Sequence, residues 1–152
     1  TEQYGLKAWI VRFPNVIGEY LTHGVIFDFI KKLKQNPKSL HILGNGKQNK
    51  PYVYVADLIS GILCAYSTLK ENYNVINIGV ESLTTVDRIA DLIIKEMGLR
   101  DVEKVYTKSN VGWVGDVPTF QYDLTRAHGM GWKATLSSDD AVKVTIRKEL
   151  NR

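Results

Sequence analysis

The chain has 152 residues, 44% of them hydrophobic, and a formal net charge of +4. This balance predicts one ordered globular domain and is not typical of a disordered chain, while no apolar run approaches the roughly 18 residues of a membrane span. Cys64 is the single cysteine, which excludes an internal disulfide and a cysteine metal cage and makes the cytoplasm the expected location. A mildly basic chain suits a small acidic ligand as well as a nucleic acid.

Strands alternate with helices in the predicted order of elements. Leu6 to Phe13 is an apolar strand candidate, and Pro14 demands a loop after it. A helix is expected from a Thr22 cap to about Gln35, because apolar residues recur on one of its faces. The elements expected next are strands at 40–43 and 52–55, a helix over 58–69 capped by Asp57, a strand at 73–78, a helix from a Thr85 cap to about Met97 that Gly98 ends, a strand at 103–106, and a last helix opened by Ser138. This alternation predicts an α/β fold.

The first strand lacks obvious neighbours in the chain. Residues 1–5 resemble the tail of a helix that ends at Gly5, and the apolar strand starts almost at once. A strand that is apolar throughout is usually covered on both faces. We therefore expect the chain to be a piece of a larger sheet.

Several short motifs with known chemistry fail or are weak. Gly46-Lys47 has His41 where a Walker loop needs glycine, and Gln48 where it needs serine or threonine. The sequence has no G-x-G-x-x-G, H-E-x-x-H or G-x-S-x-G. Tyr66 and Lys70 match a Tyr-x-x-x-Lys dehydrogenase motif, but so short a match arises easily by chance, and we interpret them as an exposed pair near a helix end.

Sequence features in a fixed order carry a resemblance to one family. They are Arg12-Phe13-Pro14-Asn15-Val16-Ile17-Gly18, His23-Gly24-Val25-Ile26, Leu43-Gly44-Asn45-Gly46 followed by Lys50-Pro51-Tyr52-Val53-Tyr54-Val55-Ala56-Asp57, Asn77-Ile78-Gly79, and Gly115-Asp116-Val117-Pro118 with Asp123 and Gly131-Trp132-Lys133 after it. This order resembles the extended short-chain dehydrogenase/reductases, specifically the nucleotide-sugar epimerases and dehydratases. The Gly-Trp-x-Gly-Asp-Val-Pro segment is most similar to UDP-glucose 4-epimerase-like members.

The resemblance implies the C-terminal part of an NAD(P)-binding Rossmann-type α/β protein. Residues 1–20 would be a terminal Rossmann-sheet strand and its loop. Residues 21–152 would mostly form the small nucleotide-sugar-binding domain, with about 50–80 packing back on the Rossmann part. In the family, the NAD site and the catalytic Tyr-x-x-x-Lys precede the Arg-x-x-Asn strand. No catalytic residue is therefore expected in this chain, and the chain alone is expected to be inactive.

The implied activity is that of an NAD-dependent nucleotide-sugar 4-epimerase of the UDP-glucose/UDP-galactose type, with a homodimer as the full-length enzyme. The family's reaction oxidises C4 of the sugar transiently, and the cofactor carries the hydride. A 4,6-dehydratase and a non-catalytic nucleotide-sugar-binding module are the alternatives. A nucleic-acid binder is disfavoured because the cations are scattered rather than laid along one stripe. No metal and no membrane partner are expected.

The resemblance also implies a set of site residues. The substrate-binding residues would be Asn15, His23, Gly24, Val25, His41, Leu43, Lys50, Tyr52, Asp116 and Phe120, and Phe13 and Pro14 would line the nicotinamide side of the cofactor. Lys50 stands where the family has a diphosphate-binding arginine, and it cannot supply that residue's bidentate fork. The alternative interpretation of Lys50 is a solvated loop lysine that buries little.

Three further positions depart from the family pattern. Trp113 replaces a second diphosphate arginine, Phe120 replaces a tyrosine, and Pro51 replaces an aspartate. These departures leave open a substrate other than UDP-galactose. Gly44-Asn45-Gly46 is interpreted as the turn that reverses the chain between two strands.

Overall fold

The computed structural model describes residues 1–107, 112 and 115–151. Strands and helices alternate along most of this length, which confirms the predicted α/β class. In chain order the elements are β1 (Ala8–Arg12), β2 (Asn15–Ile17), α1 (Val25–Gln35), β3 (Ser39–Ile42), β4 (Asn49–Lys50), β5 (Tyr52–Tyr54), α2 (Val55–Thr68), β6 (Tyr73–Asn77), β7 (Thr84–Thr85), α3 (Val86–Glu96), β8 (Glu103–Tyr106), α4 (Thr125–Gly129) and α5 (Ser138–Leu150).

The strands pair in two-stranded ladders that join distant parts of the chain. β1 pairs with β6, β2 with β5 and β3 with β8, all parallel, while β4 pairs antiparallel with β7. The turn at Gly44 and Gly46 has positive φ angles of 83° and 77°. It does not close a hairpin, because β3 before it pairs with β8, and β4 and β5 after it pair with β7 and β2. A Cβ on Gly46 would lie 2.7 Å from the Tyr106 ring, so close packing as well as backbone conformation favours glycine there.

The larger of two hydrophobic cores lies among α1, β3, α3 and α5. The inner face of α1 supplies Ile26, Phe29, Ile30 and Leu33, as its sequence pattern predicts. The members from the other elements include Leu40, Ile42, Ile89, Ile93, Val142 and Ile146.

The second core lies between the β1–β6 pair and α2. Its buried members include Val53, Leu58, Ile76 and Trp132. The indole N–H of Trp132 donates a hydrogen bond of 2.9 Å to the hydroxyl of Ser60. This bond satisfies the only polar atom of an otherwise apolar side chain.

The predicted start and end of α3 are confirmed, and α5 begins at Ser138 as predicted. The Thr85 hydroxyl accepts a hydrogen bond from the Arg88 N–H and caps α3, and Gly98 follows that helix with a φ of 65°. The prediction for Thr22 is wrong, because the N-cap of α1 is Gly24, which supplies no side-chain cap.

The prediction for Asp57 is also wrong. α2 begins at Val55, so Asp57 lies inside its first turn and is buried. Its two carboxylate oxygens accept from the Thr135 hydroxyl at 2.7 Å and from the Leu136 N–H at 3.2 Å. The carboxylate therefore joins two distant segments, a role that local sequence spacing does not reveal.

An apolar stripe on α2 faces outward. Val55, Ile59, Leu63 and Tyr66 are exposed, with Ile59 at 50% and Leu63 at 61%. Spacings of three and four residues put these side chains on one side of the helix. We call this set the α2 stripe. The first strand is likewise covered incompletely, since Ile10 is exposed on the face opposite to Val11.

Replacing Gly61 with alanine is expected to destabilise the protein. A Cβ at Gly61 would lie 2.6 Å from Ile78 Cγ2 and 2.9 Å from the Trp132 ring, both in the second core. Overpacking of this kind typically costs about 1–3 kcal/mol, which exceeds the helix-propensity gain of ~1 kcal/mol for alanine over glycine. Urea unfolding measures the difference. Gly129→Ala is the matched control, because Gly129 is also helical and has open space around it. A Gly61→Ala protein as stable as the parent would contradict this packing argument.

Candidate functional site

A cavity of about 550 Å³ opens beside the start of α1. Eight of the predicted substrate-binding residues line it: Asn15, His23, Gly24, Val25, Leu43, Lys50, Tyr52 and Asp116. These residues come from segments as far apart in the chain as β2 and the residues before α4. The fold therefore brings most of the predicted set to one place, and their role in binding stays a prediction.

The pairing of β2 with β5 positions one wall of the cavity. Asn15 lies opposite Tyr52 in the parallel register, and its side-chain amide donates to the Pro51 carbonyl at 3.4 Å. The Tyr52 N–H donates to the Ser138 hydroxyl at 3.1 Å, and that hydroxyl lies 2.7 Å from the hydroxyl of Thr84. Buried hydrogen bonds thus hold β5, and Lys50 just before it, against the start of α5.

The start of α1 forms a second wall. Gly24 is the N-cap with a φ of 92°, and as a glycine it supplies no side-chain cap. The first N–H groups of a helix have no partner within the helix, and its dipole makes that end favourable for anions. Asp28 in the first turn also lines the cavity and pairs with Lys32 at 2.7 Å. Its charge offsets part of the positive potential at this helix end.

Lys50 and Asp116 form an ion pair inside the cavity. Their side chains are only 17% and 4% exposed, and the second oxygen of Asp116 accepts from the Gly112 N–H at 3.0 Å. Burial raises the pKa of the Asp116 carboxyl, but the hydrogen bonds from Lys50 and Gly112 outweigh it, so that the pKa lies below its usual range. Lys50 is therefore not the little-buried loop lysine of the alternative interpretation.

Tyr52 is buried with its ring beside this ion pair. Burial, with a smaller contribution from the Asp116 charge, raises the pKa of its hydroxyl to about 12. The phenol is therefore neutral at neutral pH and can donate as well as accept a hydrogen bond.

Gln48 is a cavity residue that the sequence analysis missed. It is 3% exposed, and its Nε2 donates to the Leu43 carbonyl at 3.2 Å, while its Oε1 has no hydrogen-bond partner among the described residues. The main-chain carbonyl of Gln48 accepts from the Val86 N–H at 3.0 Å and so holds the loop against α3. The sequence signal is weak, because a glutamine between Gly46 and Lys50 is typical of a solvated loop. The other lining residues missed are Val16, Ile17, Leu21, Ile26, Asp28, Phe29, Val86 and Gly112.

The two other predicted substrate residues lie outside this cavity. His41 is exposed on β3, and its carbonyl accepts from Lys32 Nζ at 3.1 Å. Phe120 packs edge-to-face on Tyr122, with ring centroids 5.7 Å apart. Trp113, which departs from the family pattern, falls outside the described residues. The assignments of His41 and Phe120 stay predictions.

The predicted cofactor-side residues lie in the loop after β1. Phe13 is 46% exposed, and its main-chain carbonyl accepts from the Tyr122 hydroxyl at 3.1 Å. Pro14 is buried. Its ring packs so closely on Gly79 that a Cβ added to this glycine would lie 3.1 Å from the proline ring. In open α/β sheets this edge, beyond the carboxyl ends of the strands, is where ligands bind.

Two other kinds of site find no support in the part of the chain that the structure describes. No group of three or more His, Cys, Asp or Glu side chains in it could hold a metal ion, and no helix in it is long and apolar enough to cross a membrane. Tyr66 and Lys70 are both exposed, as expected, and Lys70 lies beyond the end of α2. The Tyr66 ring packs against Trp9 with centroids 4.9 Å apart.

Comparison with known proteins decides the family. The model of the NAD dependent epimerase/dehydratase family matches residues 1–79. The chain belongs to this family. It is 33% identical over 147 residues to a putative UDP-glucose 4-epimerase of Methanocaldococcus jannaschii, covering 94% of this chain and 46% of that protein. It is 29% identical over 150 residues to the dTDP-D-glucose 4,6-dehydratase of Mus musculus, covering 95% of this chain and 41% of that one.

Solved structures of epimerases have the same fold. A UDP-galactose 4-epimerase structure matches with a TM-score of 0.86 at 31% identity, covering 99% of this chain and 48% of that chain. The Thermotoga maritima UDP-glucose 4-epimerase with UDP-glucose matches with a TM-score of 0.81, again at 31% identity, with coverage of 99% and 48%. The chain thus spans about half the length of the relatives it matches. The predicted resemblance and the Rossmann-type α/β class are both confirmed.

The raised pKa of Tyr52 predicts a change of stability with alkaline pH. Between pH 10 and about 12 the unfolded chain ionises this tyrosine while the folded chain keeps the proton, so the free energy of unfolding falls as pH rises through this range. Tyr52→Phe removes this contribution and should make the fall shallower. Urea unfolding at several pH values from 8 to 12 measures it, with Tyr4→Phe, at an exposed tyrosine, as the control. Parallel curves for Tyr52→Phe and the parent would count against the buried, neutral phenol.

Proposed function

We propose that this chain is the substrate-binding part of an NAD-dependent nucleotide-sugar 4-epimerase of the UDP-glucose/UDP-galactose type. The observation that carries the proposal is the 550 Å³ cavity, in which Lys50 and the uncapped start of α1 lie together with Tyr52. Small-molecule sites typically have volumes of about 300–1,000 Å³ and combine apolar walls with a few convergent polar groups.

The polar groups of the cavity suit a diphosphate. Lys50 supplies an ammonium group, and the helix start supplies N–H groups whose dipole favours negative charge. A cation together with oriented N–H groups is the combination that phosphate oxygens need.

The rest of the cavity suits the uncharged parts of a nucleotide sugar. Leu21, Phe29 and Val86 offer apolar surface for a base or a sugar ring. Asn15 and Tyr52 can both donate and accept hydrogen bonds, so they can orient hydroxyl groups.

NAD, when bound, would supply the hydride acceptor and donor for the reaction at the sugar. This chain's contribution would be to hold the sugar nucleotide and to complete the cofactor side with Phe13 and Pro14. The exposed Phe13 ring at the carboxyl end of β1 fits that role, because it leaves an apolar face free for contact with a planar ring.

A second candidate activity is a nucleotide-sugar 4,6-dehydratase. The 29% identity to the mouse dTDP-D-glucose 4,6-dehydratase favours it. Product analysis separates the two, since an epimerase inverts C4 and a dehydratase loses water. A non-catalytic nucleotide-sugar-binding module, which the lysine at position 50 suggests, would bind the ligand without any turnover.

We also propose that residues 1–20 complete a larger Rossmann sheet, that 21–152 mostly form the nucleotide-sugar domain, and that an NAD-binding half packs against β1 and α2. Two observations support this organisation: the exposed α2 stripe, and the match to about half the length of the relatives. The homodimer and the cytoplasmic location stay predictions for the full-length enzyme.

Lys50→Gln tests the diphosphate assignment. Loss of a charge-assisted hydrogen bond costs about 1.5–3 kcal/mol, or roughly ten- to a hundredfold in the dissociation constant for UDP. Uridine, which has no phosphate, should bind Lys50→Gln nearly as well as the parent. Isothermal titration with UDP and with uridine measures both.

Lys47→Gln is the matched control for this test, because Lys47 is exposed in the same loop and does not line the cavity. An equal loss of UDP affinity in both variants would point to general electrostatic attraction, and no loss in either would argue against the diphosphate site. Lys50→Gln also keeps a neutral donor for Asp116, whereas Lys50→Ala would leave a buried carboxylate unpaired and destabilise the fold.

Leu63→Glu tests the proposed packing of an NAD-binding half. In the 152-residue chain Leu63 is exposed, so the substitution should change the free energy of unfolding by less than about 0.5 kcal/mol. In a longer polypeptide that includes the NAD-binding half, an unpaired buried carboxylate should cost several kcal/mol. Urea unfolding of both forms gives the comparison, and equal effects in the two would contradict the proposed contact.

The 152-residue chain alone should bind UDP but not interconvert UDP-glucose and UDP-galactose.

A further inference from the structure

The ammonium group that suits a diphosphate is already bonded to a carboxylate. Lys50 Nζ donates to one oxygen of Asp116, and the Gly112 N–H donates to the other. Both charged side chains line the cavity and are mostly buried, so water screens their interaction only weakly.

We propose that Asp116 is a resident counter-ion of Lys50 that an anionic ligand group must displace or share, so that this carboxylate sets the affinity of the cavity for phosphate. The proposal rests on the proposed function, because it takes a phosphate group as the ligand of Lys50. Asp116 would affect the phosphate through its contact with Lys50, and it is therefore a positioning residue.

The physical reason is competition between two anions for one cation. An ammonium group has three donors and can touch a carboxylate and a phosphate together. That arrangement puts two negative groups side by side in a poorly solvated cavity, where their repulsion is much stronger than in water. Whether the carboxylate moves away or remains, the phosphate binds less tightly than it would to Lys50 without Asp116.

The pair also has a use in the absence of a ligand. A buried lysine without a partner pays a large desolvation cost. Asp116 offsets this cost and holds the Lys50 side chain at the cavity wall. The same contact that lowers the affinity for phosphate therefore keeps the cation in place for it.

Inorganic pyrophosphate is the probe, because it carries the anionic group without a base or a sugar. Asp116→Asn keeps the size of the side chain and removes the competing charge. Its dissociation constant for pyrophosphate should fall about tenfold or more, the size expected for a charge-assisted contact. Isothermal titration of the 152-residue chain at fixed salt measures the change.

Two further variants separate displacement from simple loss of negative charge. Asp91→Asn removes a carboxylate that pairs with Lys104 at 2.8 Å and does not line the cavity, so it should change pyrophosphate affinity by less than about threefold. Adding Asp116→Asn to Lys50→Gln should bring little gain, because the contested cation is gone. This non-additivity is the signature of a direct coupling between the two residues.

The proposal is overturned if Asp116→Asn binds pyrophosphate no better than the parent, or if Asp91→Asn gains as much. If Asp116→Asn does not fold, the carboxyl pKa of Asp116 can be followed by NMR in the parent chain. It should rise when pyrophosphate saturates the site, and an unchanged value would overturn the proposal. Failure of the proposed function is separate, because in that case the parent binds neither UDP nor UDP-glucose.

Discussion

The three residues of β5 hold the two cores and the cavity together. Successive side chains of a strand point to opposite faces. Tyr52 accordingly packs in the larger core and Val53 in the second one. The cavity lies along this junction, and Lys50 reaches it from the residues just before β5. A shift of β5 by one residue would exchange the two faces and disrupt both cores together.

Buried polar contacts fix β5 in this register. Ser138 and Thr84 are fully buried, yet their hydroxyls bond to each other, and the Ser138 hydroxyl accepts from the Tyr52 N–H. Asp57 at the start of α2 joins the segment just before α5 in the same way. Each such group would cost about 1–3 kcal/mol if it lost its partner, so the network disfavours other arrangements of these elements. The network therefore also fixes the position of the backbone next to Lys50.

Features that depend on neighbours in the chain could be predicted from the sequence. The core face of α1 and the Thr85 cap of α3 are set by residues within three or four positions. Ordered motifs also predicted the family and eight of the cavity residues. The Asp57 contacts and the Lys50–Asp116 pair could not be predicted, because they join residues 66 or more positions apart. Strands β4 and β7 have two residues each, which is too short to show the alternation of apolar and polar residues that predicts a strand.

The charges at the cavity wall do not follow from the net charge of the chain. Lys50 is compensated by Asp116, so the pair together adds almost no net charge at the wall. The uncapped N–H groups of α1 are fixed dipoles, and Asp28 offsets only part of their field. Under the proposed function, a phosphate entering the cavity would gain first from the helix start and then compete for the lysine. This order would let a chain with a lysine in place of the family's arginine suit a diphosphate, since the dipoles remain whatever residue stands at position 50.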